Sequence, residues 1–353
     1  MAADELIFDP GVLLPLPLCE FQGYHAAARH GGLGILPWRT AWLEATAAGV
    51  DVRSEAPDPG EVRFSQALVH LQKSRAASWR DLLCAWELLE PGGRLLLCGG
   101  NDLGVTSAVK RLARELEQAP RILANRRHAR IVAFERGHGP GPLSAESTRI
   151  ALPLPDGTRP MLHAEPGVFS AKRLDVGTEL LLETLAEQPS PRRVLDMGCG
   201  IGPLAFSALS RWPEATALLL DADARAVASA SLNAAALGLE TRCQIDWWDA
   251  EEPCPEADFD LALVNPPFHG GKEVDLRPAH SMFARLGESL ALGGRALIVA
   301  NRTLPYEDGL ENLGTTEVLG GSRGYKIIGF TRRANRRSRV HAPRPRSSGS
   351  NRR

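Results

Sequence analysis

The chain has 353 residues, 44 % of them hydrophobic, with six cysteines and a formal net charge of −1. That length is long for one domain and comfortable for two, and no apolar run reaches the eighteen residues of a membrane-spanning helix. The cysteines form no Cys-x-x-Cys and lie beside no regularly spaced His, which argues against a zinc site and a disulfide scaffold; no metal is expected.

Taken in chain order, GVLLPLPLC (11–19) is short, broken by prolines and preceded by acids. It lacks the basic start of a signal peptide, so a cytoplasmic location is expected, with no membrane partner. HGGLG (30–34) is rich in glycine, but no strand ending in an acid is read before it. FSQALVHLQK (64–73) holds a strand, and ELLEPGGRLLLCGGN (87–101) reads as a helix end, a Gly-Gly turn and an apolar strand. RGHGPGPLSAES (136–147) reads as a linker, which closes a first domain over residues 1–140. Residues 148–190 carry short strand-like pieces and then a helix, leading into a second domain over 148–330.

From about residue 190, strands and helices alternate. VLDMGC (194–199), ALLLDAD (217–223), FDLALVN (259–265) and RALIVAN (295–301) are strands; 224–238 and 282–294 are helical segments. Such alternation predicts an α/β fold with a mainly parallel, doubly wound sheet. VLDMGCGIGPLA (194–205) is a buried strand, Asp196, then Gly198, Gly200 and Gly202 opening a helix. Glycines let backbone approach a ligand, and the helix amino end favours negative charge. The G-x-G-x-G spacing is tighter than the G-x-G-x-x-G of dinucleotide folds. With Asp196 at the strand tip facing the pocket, it suits a small ligand without pyrophosphate that bears positive charge. Asp221 ends the next strand, where an acid accepts both hydroxyls of a ribose, while Asp223 caps the following helix. CQIDWWDAE (243–251) offers Asp246 and Asp249 at a third strand end. Asp246 is favoured to accept an adenine amino group, with Trp247 packing on the ring; a plain surface loop is the alternative.

ALVNPPFHGG (262–271) ends a strand in Asn265, Pro266, Pro267, Phe268 and His269. The first half echoes this region. FSQALVHLQK parallels FDLALVNPPF, and ELLEPGGRLLLCGGN parallels ESLALGGRALIVAN (288–301), in the same order. The echoes predict two related domains, with His70 where the second has Asn265, and no first-half counterpart of VLDMGCGIG. Residues 331–353 carry nine Arg and no acid, leaving the first 330 residues net acidic. This tail is expected to be disordered, either an arm for a phosphate backbone or a solubilising segment.

With these residues in hand, the chain resembles the class I S-adenosylmethionine-dependent methyltransferases through VLDMGCGIG, Asp221 and NPPF (265–268). More narrowly it is similar to the RsmC/RlmG-type ribosomal RNA guanine-N2 methyltransferases, a match that takes in PGVFSAKRLDVGTELLLETL (166–185), NPPFH, GGRALIVANRTLPY (293–306) and GYKIIGF (324–330). The resemblance implies two tandem Rossmann-like methyltransferase domains, the amino-terminal one degenerate. It implies S-adenosylmethionine as cofactor, and ribosomal RNA as partner, the small subunit before the large, for a monomeric enzyme. NPPF also occurs in adenine-N6 and protein-glutamine methyltransferases, and a non-catalytic assembly factor on this fold is the rival of a different class. In the enzyme reading, Asn265 Oδ1 and the Pro266 carbonyl accept the two N–H groups of the guanine amine and Phe268 stacks on the base. Pro267, His269 and Lys326 are the further candidates toward the substrate. Neither His269 nor Lys326 stands out as a general base.

Overall fold

The structure, a computed structural model, describes residues 5–14, 17–138, 147–169, 173–267, 276–322 and 324–333. Two seven-stranded mixed sheets carry the chain, joined by a two-stranded hairpin. The first contains β1 (Leu18–Phe21), β2 (Gly32–Ile35), β3 (Val52–Arg53), β4 (Phe64–His70), β5 (Leu89–Gly100), β6 (Arg121–Arg126) and β7 (Ala129–Glu135). Its order is β3-β2-β1-β4-β5-β7-β6. The hairpin is β8 (Thr148–Ala151) with β9 (Met161–Ala164). The second sheet contains β10 (Arg193–Met197), β11 (Thr216–Asp221), β12 (Cys243–Trp247), β13 (Phe259–Val264), β14 (Leu290–Asn301), β15 (Gly314–Ser322) and β16 (Tyr325–Arg332). Its order, β12-β11-β10-β13-β14-β16-β15, repeats the first strand for strand. In each sheet only the last two strands of that order run antiparallel to their neighbours.

Among the described residues the helices are α1 (His25–His30), α2 (Arg39–Ala47), α3 (Arg75–Leu88), α4 (Val105–Glu115), α5 (Val176–Leu185), α6 (Pro203–Arg211), α7 (Ala224–Ala236), α8 (Arg277–Ser289) and α9 (Tyr306–Leu310). Among the described residues none is long and apolar enough to cross a membrane. The strands are apolar on both faces because helices cover both. Along β10, Val194 packs into the layer with α5, α6 and the hairpin, and Leu195 and Met197 into the layer with α8. Each such buried leucine contributes about 1.5–3 kcal/mol.

The sequence echoes are structural equivalences. Phe64 pairs with Leu89 and Gln66 with Arg94 across a bulge; Phe259 pairs with Leu290 and Leu261 with Arg295 across the same bulge. The Gly-Gly pairs sit inside that irregularity. Gly92 and Gly293 take φ of 83° and 81°, and a Cβ on Gly93 or Gly294 would come within 2.8 or 2.7 Å of a backbone carbonyl. Residues 290–294, expected to finish a helix, therefore already belong to β14, and α8 starts earlier, at Arg277. The tail was expected from residue 331, yet Thr331 and Arg332 complete β16; residues 334–353 lie outside the described residues, as do 139–146 of the linker.

The two halves join through equivalent turns. Trp38, after β2, forms an antiparallel bridge with Asp223, after β11. Arg39 N–H donates to the Ala222 carbonyl, and Ala224 N–H to the Pro37 carbonyl. Sheet register makes these turns counterparts, so the junction has approximate two-fold character.

Candidate active site

The crevice of a doubly wound sheet opens at the carboxyl ends of the strands where their order reverses. In the second sheet that point lies between β10 and β13, and a cavity of about 560 Å³ occupies it. Gly198, Gly200 and Asp221 form one wall, and Asn265, Pro266 and Pro267 another. A larger recess of about 670 Å³, between the hairpin and α5, contains none of these residues.

The glycine loop leaves β10 with left-handed φ at Gly198 (79°), Gly200 (56°) and Gly202 (92°). A Cβ on Gly200 would meet nothing within 4 Å. Gly202 does not line the cavity; a Cβ there would strike the Phe206 ring at 2.2 Å. It lets α6 begin, with Pro203 in the first turn, whose missing N–H costs nothing there.

Asp221 lines the cavity. Its Oδ2 accepts the Gly200 N–H at 2.7 Å and its Oδ1 the Asp223 N–H at 2.9 Å, which fixes the carboxylate with lone pairs to spare. Burial raises its pKa to about 6, against the pull of those backbone donors. Asp223 caps α7, as expected, its Oδ1 accepting from Arg225 N–H.

Asp196 does not face the cavity. It is fully buried beneath the loop, where its Oδ2 accepts the Ala205 N–H at 3.0 Å and its Oδ1 has no partner among the described residues. Burial raises its pKa to about 7. Strand alternation puts Asp196 on the α6 side with Val194, so it ties helix to strand rather than meeting a ligand directly. Asp246 is likewise displaced. It lies within β12, two residues from Gln244, and accepts from Gln244 Nε2. Asp249 and Trp248, beyond the strand end, line the cavity instead. Trp247 donates its Nε1–H to the Ala222 carbonyl and packs edge-on against Trp42. Lys326 holds both oxygens of Glu307, at 2.6 and 2.9 Å, and does not line the cavity. Phe268 and His269 lie outside the described residues.

The first half closes part of this cavity, which no local pattern announces. Trp38 and Thr40 line it. Thr40 Oγ1 donates to Asp249 Oδ2 at 2.8 Å, and Arg39 grips Glu252 with two bonds of 2.9 Å. From the second half, Phe169, 63 % exposed, stands at the rim.

The counterpart crevice in the first sheet is built differently. Glu20 pairs with Gly34 and Leu68 as Asp196 does with Leu219 and Leu263, so a buried acid does stand in the strand expected to lack one. Its Oε2 accepts the Ala27 N–H at 2.8 Å, as Asp196 accepts from Ala205. After it comes Gln22-Gly23-Tyr24, not HGGLG, whose glycines begin β2. Leu36 takes the place of Asp221, and His70, in the place of Asn265, bonds Glu20 Oε1 at 2.8 Å. A Cβ on Gly23 would come within 2.7 Å of both Glu20 Oε1 and His70 Nε2. Nearby in the chain, Gln22 and Gln72 both donate to Asp81.

Residues 160–329 match the methyltransferase small domain family. The chain is 38 % identical to ribosomal RNA small subunit methyltransferase C of Pseudomonas entomophila over 77 % of this chain and 80 % of that protein. It is 36 % identical to the protein of the same name from Pseudomonas paraeruginosa, over 84 % and 90 %. Among solved structures, the T. thermophilus 16S rRNA N2 G1207 methyltransferase, in complex with AdoMet and guanosine, shares its fold. The TM-score is 0.81 at 24 % identity, covering 94 % of this chain and 92 % of that one.

Proposed function

This chain belongs to the ribosomal RNA small subunit methyltransferase C family, and from that membership and the cavity we propose that it methylates the exocyclic N2 amine of a guanine in 16S ribosomal RNA, with S-adenosylmethionine as donor. One observation carries the reading: a single cavity joins Gly198, Gly200 and Asp221 to Asn265, Pro266 and Pro267. The residues fit the donor. Asp221 is held for a ribose, Gly198 and Gly200 leave room at the loop, and Asp249, oriented by Thr40, offers an acceptor for the adenine amine. Bound S-adenosylmethionine supplies an electrophilic methyl on a sulfonium. The chain's part is to hold and expose the acceptor's lone pair. Asn265 Oδ1 is buried and has no partner among the described residues, and buried acceptors left so cost about 1–3 kcal/mol. It is the group left to accept one N–H of the amine, with the Pro266 carbonyl accepting the other. Phe169 offers a stacking face for an unpaired base, since a paired guanine amine is out of reach. The first domain, with Leu36 and His70 at the two decisive positions, supplies the wall of the site and an RNA-facing surface and binds no cofactor. The chain's place in a ribosomal RNA methyltransferase family supports reading it as a cytoplasmic enzyme, and a monomer is expected by light scattering.

The test is incubation with labelled cofactor and, separately, naked 16S RNA, small subunits and large subunits, followed by mapping of the labelled nucleotide. Label on a small-subunit guanine N2 is expected. Label confined to 23S RNA, adenine or protein overturns the substrate, and no label on any of them overturns the activity.

Asp221→Ala is expected to weaken S-adenosylmethionine binding about 10- to 100-fold, the worth of hydrogen bonds to a charged group. Calorimetry with unchanged affinity would remove Asp221 from the site. Two hydroxyls donate most strongly to the ionised carboxylate, since protonation turns one oxygen into a donor and removes the charge. With its pKa raised to about 6, affinity is expected to hold above pH 7 and to fall by up to about tenfold per unit below pH 6. An affinity flat from pH 5 to 8 would contradict this.

A further inference from the structure

The amide end of Asn265 is engaged as closely as its oxygen is free. Nδ2 lies 3.1 Å from Asp175 Oδ2 and 3.1 Å from Thr178 Oγ1, at the amino end of α5 and 90 and 87 residues earlier in the chain. Asp175 is also the N-cap of α5, its Oδ2 accepting the Thr178 N–H at 3.1 Å. Gly177 between them admits no side chain: a Cβ would come within 2.6 Å of Val299 Cγ1 and 2.9 Å of Asp175 Oδ2. Thr178 is buried, at 6 % exposure. An ionised carboxylate only accepts hydrogen bonds, so the end of the carboxamide that faces it must be the NH₂ group. Turning the amide over would set Oδ1 against the carboxylate and present a donor to the substrate amine, losing both interactions.

We propose that Asp175 and Thr178 are positioning residues for methyl transfer: by holding Asn265 Nδ2 they fix Oδ1 as the acceptor that meets the guanine amine. The proposal rests on the reading of Asn265 given above. Two acceptors on one NH₂ group leave its amide neither free to flip nor free to swing. A misplacement of about 1 Å at a reacting centre costs up to about 100-fold in rate. The sequence D-V-G-T (175–178) thus does two jobs with the same atoms, capping a helix and aiming a side chain on a different strand.

The test uses full-length protein with labelled S-adenosylmethionine and its rRNA substrate, with Thr178→Val, Thr178→Ser, Asp175→Asn and Asn265→Ala. Asn still caps a helix, so Asp175→Asn keeps α5 while leaving an amide that can face Asn265 with either end. Thr178→Val and Asp175→Asn are expected to lower kcat about 10- to 100-fold, with the cofactor Kd, the KM for RNA and the melting temperature unchanged. Thr178→Ser is expected to restore kcat. In the Asn265→Ala background the same two substitutions are expected to cost nothing more, since the group they position is gone. Unchanged kcat in both variants overturns the proposal. So do losses confined to KM or melting temperature, failure of Thr178→Ser to restore kcat, and losses that persist undiminished in Asn265→Ala. Asn265→Ala with parental kcat overturns instead the reading of Asn265 on which the proposal rests.

Discussion

Replacing Asn265 with Ala is expected to lower kcat by about 10²–10³-fold while calorimetric affinity for S-adenosylmethionine stays at the parental value. Asn265 and Asp221 stand on different walls of one cavity, so an acceptor can be removed without touching the ribose site. An exocyclic guanine amine shares its lone pair with the ring, and two fixed acceptors on its N–H groups bring it toward the tetrahedral geometry that frees that pair. Loss of one leaves the Pro266 carbonyl alone. Near-parental turnover would take Asn265 out of the mechanism. The carboxamide is also preferable to the nominally stronger acceptor Asp, for a reason that the neighbouring side chain supplies. Its Nδ2 lies 3.1 Å from Asp175, and a carboxylate there would set two negative charges together. Two carboxylates at that distance repel. At saturating cofactor, Asn265→Asp is therefore expected to turn over more slowly than the parent. Parental turnover would contradict that account.

The second large effect is on stability, at the junction between the halves. Arg225 is 2 % exposed and grips Asp223 through Nε and Nη2 at 2.8 and 2.9 Å. Its guanidinium lies 5.9 Å from the Trp38 ring. Asp81, in the first half, is itself 2 % exposed; burial raises its pKa and Arg225 is the chief charge opposing that rise. Arg225→Met leaves the buried Asp223 carboxylate without its cation, and Asp81 with Arg80 at 4.0 Å but without the larger opposing charge, a change that costs about 3–5 kcal/mol. The expected result is a lower urea midpoint at pH 8, with part of the loss recovered toward pH 5. The sign follows from the acids. The folded pKa of Asp81 already stands above its unfolded value and rises further without Arg225, so its ionised form destabilises the fold more as pH rises, and protonation relieves it. A midpoint at pH 8 equal to the parent's, or a loss that grows toward pH 5, would show that the pair is not what holds this junction.

Much was legible in the sequence because it is periodic or local. A strand, three closely spaced glycines and a helix in 194–205 form one continuous piece of chain, and so do the ALV strand and Asn265-Pro266-Pro267. The duplication was legible from two short echoes because the bulge of β14 demands the same Gly-Gly pair in β5. Its reach was underestimated at the first strand. LCEF is four residues long and its loop has a single glycine, so nothing in spacing marks Glu20 as the counterpart of Asp196.

The sequence by itself determined the α/β architecture, its doubling, and which loop and strand end meet at one cavity, since backbone conformation at glycine and proline is a local property. Tertiary structure alone decided which side chains reach the cavity. Strand alternation turned Asp196 away, and Asp246 stops short inside β12 while Trp248 and Asp249, beyond its end, stand at the wall. Packing of equivalent turns brought Trp38 and Thr40 beside Asp223 and Asp249, and α5 brought Asp175 and Thr178 to Asn265. Contacts between residues some 90 to 210 positions apart leave no mark in any window of sequence, because they are set by the register and stacking of whole elements.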